Sequence, residues 1–152
     1  MIRLSRMIAS LFYVGFLPGM PGTYASVITA LVLYAACSVS GAIQPLLHLG
    51  LICLITVVGT VSSANICRST GVEDPSYIVI DEVAGQLLTF LFLPVTGWNI
   101  ILGILVFRTF DIWKPYPIRK LERLGNGMGV MADDLLAGIY GNIVLHIINA
   151  LL

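Results

Sequence analysis

Apolar residues run through this chain in long blocks rather than in the short alternations of a soluble domain. Residues 7–67, 83–107 and 135–152 contain no Asp, Glu, Lys or Arg. Uncharged apolar stretches of roughly 18 or more residues mark membrane-spanning helices, and turn-forming residues cut the blocks into elements. Residues 4–17 make a first stretch of about 14 residues, too short for a comfortable crossing and read as a helix at the membrane interface. Pro18-Gly19-Met20-Pro21-Gly22-Thr23 ends it. Spans are predicted over 24–41 and 46–66, separated by an uncharged turn at 40–45 and followed by a polar loop at 68–75. A third helix is predicted over 76–93, with Asp81, Glu82 and Gln86 in its early turns. Pro94-Val95-Thr96-Gly97 breaks it before a fourth helix over 98–113, and 134–152 supply a fifth span. The expectation is an all-α integral membrane bundle, one domain over 1–152, with about five spans and a short N-terminal interfacial helix.

The third and fourth helices carry the most informative geometry. In an antiparallel hairpin turning near residue 95, Asp81 lies about 14 residues from the turn and Asp111 about 16. At 1.5 Å per residue both stand on the order of 21–24 Å away, level with each other on one side of the membrane. An uninterrupted helix over 83–107 would put them on opposite faces and is rejected. With five spans, all eight Lys and Arg residues fall on the same side as these acids. The positive-inside rule makes that side cytoplasmic.

Composition agrees with this picture. Hydrophobic residues make up 58% and charged residues 11%, against about 25% charged in a soluble domain, and mean hydropathy is +0.97. The formal net charge is zero, so nucleic acid is not an expected partner. Cys37, Cys53 and Cys67 are odd in number and widely spaced, and read as packing residues. His48 and His146 stand alone in apolar surroundings. Arg3 and Arg6 give a basic start, but no small-residue cleavage site closes an ordinary apolar core, so a cleaved leader is not expected.

Chemistry concentrates in residues 108–134, which hold nine of the sixteen charged side chains. Arg108, Asp111 and Lys114 are spaced by three, on one helix face, and Pro115 ends that helix. All eight acidic residues lie between Glu73 and Asp134. Asp81 and Glu82 sit inside an otherwise apolar helix, where ionisable groups are functional candidates by default. Asp81, Glu82, Asp111, Asp133 and Asp134 are the candidate ligands of Mg²⁺, a hard cation that binds through a few carboxylates and a substrate phosphate. Arg108, Lys114 and Arg119 are candidates for holding phosphate oxygens. Anchoring to anionic headgroups is the alternative for them and is preferred for Lys120 and Arg123. Glu73 and Glu122 read equally well as solvated charges, and Trp113 and Tyr116 as interfacial anchors. Pro21, Gly22, Thr23 and Ser26 open a span, and the backbone N–H groups of such a helix start can bind phosphate. On physical grounds alone a plain turn is the better reading of that loop. No Walker A loop, Gly-x-Ser-x-Gly elbow or His-Glu-x-x-His helix is present. Two classes therefore compete: a metal-dependent enzyme acting on phosphate, and a small membrane cation transporter or channel using the carboxylates as a path. A transporter needs charge deep within its spans, whereas these acids stand at one level near helix ends.

Four blocks add a family likeness: Leu17-Pro-Gly-Met-Pro-Gly-Thr23-Tyr-Ala-Ser26, Asp74-Pro-Ser-Tyr-Ile-Val-Ile-Asp81-Glu82-Val-Ala-Gly85, Phe107-Arg108-Thr-Phe-Asp111-Ile-Trp-Lys114-Pro115-Tyr-Pro117-Ile-Arg119 and Gly127-Met-Gly-Val-Met-Ala-Asp133-Asp134-Leu-Leu-Ala-Gly138. In this order, over nearly the whole chain, the sequence resembles the phosphatidylglycerophosphatase A family. The resemblance implies a multi-pass lipid phosphatase of the bacterial inner membrane, dependent on Mg²⁺, with its site facing the cytoplasm. Its substrate would be the phospholipid phosphatidylglycerophosphate, cleaved to phosphatidylglycerol and inorganic phosphate, and its other partners membrane lipids. The expected catalytic residues are Asp81, Glu82, Asp111, Lys114 and Asp134. The expected phosphate-binding residues are Pro21, Gly22, Thr23, Ser26, Arg108, Lys114 and Arg119.

Overall fold

Three long apolar helices frame the molecule. The structure is a computed structural model and describes residues 2–121, 124–125 and 127–151; Glu122, read above as a solvated charge, and Arg123, read as a headgroup anchor, lie outside the described residues. Helix α1 is Ile2–Ala9, α2 Pro21–Ser40, α3 Pro45–Thr70, α4 Ile80–Thr89, α5 Gly97–Trp113, α6 Ile118–Leu121 and α7 Met128–Leu151. No strand occurs among the described residues. Helices α2 and α3 each open with proline at the first position, where a missing N–H costs nothing. Gly71 ends α3 in the left-handed conformation, its N–H reaching the Cys67 carbonyl at 2.9 Å, the usual glycine stop.

Helices α2, α3 and α7 have 20, 26 and 24 residues and are apolar enough to cross a membrane. At 1.5 Å per residue they span about 30–39 Å, enough for a hydrocarbon layer of about 30 Å. Their outer faces, together with that of α5, carry Val32, Leu54, Val57, Val61, Leu105 and Ile147, each more than half exposed. Lipid tails are as apolar as these side chains, so such faces need no protein cover.

Helix α4 departs from expectation. It has ten residues, about 15 Å, where 76–93 was predicted. At its start the chain turns instead of coiling: the Ile78 N–H bonds the Pro75 carbonyl at 2.9 Å, and the Val79 N–H bonds the Ala9 carbonyl at 2.8 Å. At its end Phe92 takes a positive φ of 62°, and Asn142 Nδ2 of α7 donates to the carbonyls of Thr89 and Leu91 at 3.1 and 2.8 Å. Helix-end carbonyls in apolar surroundings need such a donor. The predicted count of five spans rested on a longer third helix; by length and composition, three described helices are able to cross. Almost all of α4 is buried, packed among α2, α3, α5 and α7.

The predicted hairpin is present: residues 90–96 turn the chain from α4 into α5. Thr96 Oγ1 caps α5 by accepting the Asn99 N–H at 3.2 Å. Asn99 and Asn149 then exchange amide hydrogen bonds of 3.1 and 3.0 Å, tying α5 to α7. Two further boundaries differ. The 4–17 stretch divides into α1 and a 3-10 turn at Val14–Phe16, separated by Leu11, Phe12 and Tyr13 at positive φ. Helix α7 begins at Met128 rather than 134, so Asp133 and Asp134 lie in its second turn and are buried, not at its mouth.

Where α4 and α7 cross, both helices have glycine. A Cβ on Gly138 would collide with the Gly85 carbonyl oxygen, and one on Gly85 would come 2.5 Å from the Asp134 carbonyl oxygen. Small residues let two backbones approach this closely.

Candidate active site

The glycine crossing sets the position of the acids. Both α4 and α7 start at the same end of the bundle, and one helical turn toward that end from Gly85 and Gly138 stand Asp81 and Asp134. Ligand oxygens of Asp81, Glu82 and Asp134 lie within 4.8 Å of one another. Asp81, Asp133 and Asp134 are only 8%, 5% and 3% exposed. Asp81 and Glu82 occupy the first turn of α4, the helix end that favours negative charge. A small cavity of about 130 Å³ opens on them, lined also by Asp74, Ser76, Asp111, Lys114, Asp133 and Asp134.

Two cations from the end of α5 enter this acidic centre. Arg108 Nη1 forms an ion pair with Asp111 Oδ2 and lies 3.8 Å from Glu82 Oε1. Its geometry toward these groups is that of a charge contact, since Nη1 and Nε make no directed hydrogen bond among the described residues. Lys114 closes α5 in the left-handed conformation and reaches Asp133 Oδ2 at 2.7 Å. Asp133 Oδ1 accepts the Asp134 N–H at 3.1 Å. Asp81 Oδ1 and Glu82 Oε2 are buried with no hydrogen-bond partner among the described residues. Orphaned buried carboxylate oxygens are costly unless a cation meets them. The donor set is all oxygen, as a hard divalent ion such as Mg²⁺ requires, and the residues fit one.

The start of α2 forms the next wall. Gly22 packs so tightly on Glu82 that a Cβ there would collide with Oε1 and come 3.1 Å from Arg108 Nη1. Pro21 is the first residue of that helix. The Ser26 hydroxyl donates to the Gly22 carbonyl at 2.9 Å, whereas Thr23 Oγ1 is buried without a partner. Arg119 lines a separate groove, which it shares with Thr23 and Arg108. The structure thus gathers Asp81, Glu82, Asp111, Lys114, Asp133 and Asp134 in one cavity, sets Gly22 and Arg108 beside it, and keeps Arg119 outside. Asp74 and Ser76 line the cavity too and were not singled out from the sequence. Their sole signal was their position in the block that runs from Asp74 to Gly85.

A cavity of about 750 Å³ lies at the opposite end, between the 41–44 and 92–97 turns. It has no charged side chain in its lining. Nor does any described Asp, Glu, Lys or Arg lie in the far half of the bundle. A string of acids leading through the membrane, as a cation path would need, is absent from the described residues.

A buried carboxylate cluster and two ion-paired cations at one end of a helical membrane bundle suit the handling of phosphate groups at a membrane. The family is specific: the chain belongs to the phosphatidylglycerophosphatase A family, whose sequence profile matches residues 7–149. It is accordingly a phosphoric monoester hydrolase. A Haemophilus influenzae protein named phosphatidylglycerophosphatase A is 36% identical over 138 residues, 87% of this chain and 78% of the relative. The Escherichia coli protein of that name is also 36% identical, over 63% of this chain and 59% of its own length. A Bacteroides thetaiotaomicron protein, provisionally named a phosphatidylinositol-3-phosphatase, is 36% identical over 93% of this chain and 91% of its own. No solved structure matches.

Proposed function

We propose that this protein is a Mg²⁺-dependent phosphatase that hydrolyses phosphatidylglycerophosphate to phosphatidylglycerol and inorganic phosphate at the cytoplasmic surface of the bacterial inner membrane. The observation that carries the proposal is the acidic cavity with Lys114 in its wall and Arg108 beside it, at the one end of the bundle that holds all the described charges. The names of the relatives support the substrate class. Phosphatidylglycerophosphate and phosphatidylinositol 3-phosphate share a design, a phosphomonoester on a polyol that a phosphodiester joins to diacylglycerol. The concentration of the described Lys and Arg residues at this end supports the cytoplasmic assignment.

Asp81, Glu82 and Asp134 would hold the Mg²⁺. When bound, the ion supplies Lewis-acid charge to the phosphoryl oxygens. Asp111 and Asp133 keep Arg108 and Lys114 turned toward the cavity through their ion pairs. Those two cations bind the phosphomonoester and stabilise the negative charge that grows on its oxygens during transfer. Burial excludes bulk water and strengthens both interactions. A cavity carboxylate takes the proton of the attacking water as its oxygen bonds to phosphorus. The bond from phosphorus to the glycerol oxygen breaks, and that oxygen leaves as a hydroxyl, taking up the proton that the carboxylate gained from the water.

Phosphate release by detergent-purified protein tests the reading, with phosphatidylglycerophosphate, phosphatidylinositol 3-phosphate and phosphatidic acid compared in Mg²⁺ and in EDTA. The expected result is release that needs Mg²⁺ and is fastest from phosphatidylglycerophosphate. Folded protein that releases phosphate from none of the three would refute it.

A further inference from the structure

Arg108 stands between two spaces. One is the acidic cavity, which it borders through its contacts with two lining residues, Asp111 and Glu82. The other is a groove of about 670 Å³ between the start of α2 and the end of α5, lined by Met20, Thr23, Ile104, Leu105, Ile112 and Trp113 along with Arg108 and Arg119. Met20, Leu105, Ile112 and Trp113 are each more than half exposed, so this groove opens on the apolar outer surface. Arg119 is exposed and has no carboxylate partner among the described residues. The groove therefore offers apolar walls, one arginine at the threshold of the acidic cavity and a second that the cavity does not use.

We propose that this groove is the lateral entry and seat of the lipid, and that Arg119 binds the phosphodiester linking the headgroup to diacylglycerol while Arg108 meets the terminal phosphomonoester. The inference rests on the lipid phosphatase reading above and adds to it a source of specificity. A guanidinium fork matches a phosphate oxygen pair better than a point charge does. A lipid with two phosphates engages both arginines, whereas phosphatidic acid, with one, leaves Arg119 without its partner. Apolar walls continuous with the bilayer let the acyl chains stay in hydrocarbon while the headgroup turns inward. Thr23 lines the same groove, with its Oγ1 buried and without a partner.

The test is steady-state hydrolysis of phosphatidylglycerophosphate and of phosphatidic acid by the full-length protein with Mg²⁺, for wild type, Arg119→Gln and Arg119→Lys. Arg119→Gln is expected to raise KM for phosphatidylglycerophosphate about tenfold, the scale of one hydrogen bond to a charged group. Its kcat should stay near wild type, which also reports intact folding, and its action on phosphatidic acid should not change. Arg119→Lys should recover part of the KM. A parallel loss on both lipids would mean that Arg119 anchors the protein to headgroups, and no change on either would leave it without a role; both results overturn the proposal. Wild-type protein inactive on phosphatidylglycerophosphate overturns the parent reading, and this proposal with it.

Discussion

At the scale of single residues, the site is a problem in charge compensation. Asp81, Glu82 and Asp134 crowd their ligand oxygens within 4.8 Å, and no lysine or arginine lies within ion-pair distance of Asp81 or Asp134 among the described residues. Asp111 and Asp133 have their own cations. On the proposed reading the division of labour follows: Asp81, Glu82 and Asp134 would hold the metal, and Asp111 and Asp133 would position side chains. Asp81→Asn and Asp134→Asn each remove one negative charge with almost no change of shape. Each is expected to lower phosphate release by at least about 100-fold, the scale of deleting one preorganised electrostatic group. The same variants should lose most of the rise in melting temperature that Mg²⁺ gives the wild-type protein, because a ligand that binds only the folded state stabilises it in proportion to its affinity. Near-wild-type turnover in either variant would remove that carboxylate from the metal set.

At the scale of elements, the spacing of those carboxylates depends on the contact between α4 and α7. Gly138→Ala would put a methyl group against the Gly85 backbone, and backbone cannot swing aside as a flexible side chain can. Forcing the helices apart is expected to cost about 1–3 kcal/mol, as overpacking does. It should also reduce activity, since Asp134 stands one turn away. Gly50→Ala in α3 is the control: nothing lies within 4 Å of the added carbon, and exchange of a helical glycine for alanine there is expected to be neutral or stabilising by up to about 1 kcal/mol. Unfolding monitored by circular dichroism in detergent separates the two.

This contact also marks the limit of what the chain discloses by itself. The hairpin of α4 and α5, with Asp81 and Asp111 level, was legible because Pro94 and Gly97 interrupt an apolar run and helical rise is constant. The true ends of α4 were not. Its start depends on Ala9, 70 residues earlier, accepting the Val79 N–H, and its end on Asn142 capturing two carbonyls from another helix. The start of α7 was hidden for a similar reason. The glycines at 125, 127 and 129 fit a flexible connection as well as a close backbone approach, whereas in the structure Gly127, at φ 79°, packs against the backbone of Ala64, and the helix begins at the next residue. Asp74 looked like a loop charge because only the fold brings that loop over the cavity.

At the scale of the whole molecule, the dominant feature is polarity from end to end. The described charges gather where α2, α4 and α7 begin and α5 finishes, while the turns at 41–44 and 90–96 carry none. Ala42→Lys with Ile43→Lys would place two cations in the first of these turns. The expected outcome is a reduced yield of membrane-integrated protein, since carrying a lysine into hydrocarbon costs about 2.5–3.5 kcal/mol on insertion scales. Membrane fractionation against wild type measures it, with a lysine pair in the already charged 68–75 loop as the control. Undiminished integration of the 42–43 variant would refute the expectation. The bare turns have a further meaning for biogenesis. On the proposed orientation, the described parts handed across the bilayer during synthesis are the hairpin tips and the far end of α7, none of which carries Asp, Glu, Lys or Arg. Every group needed for chemistry stays on the ribosome's side, so the active site is assembled without any of its charges being translocated.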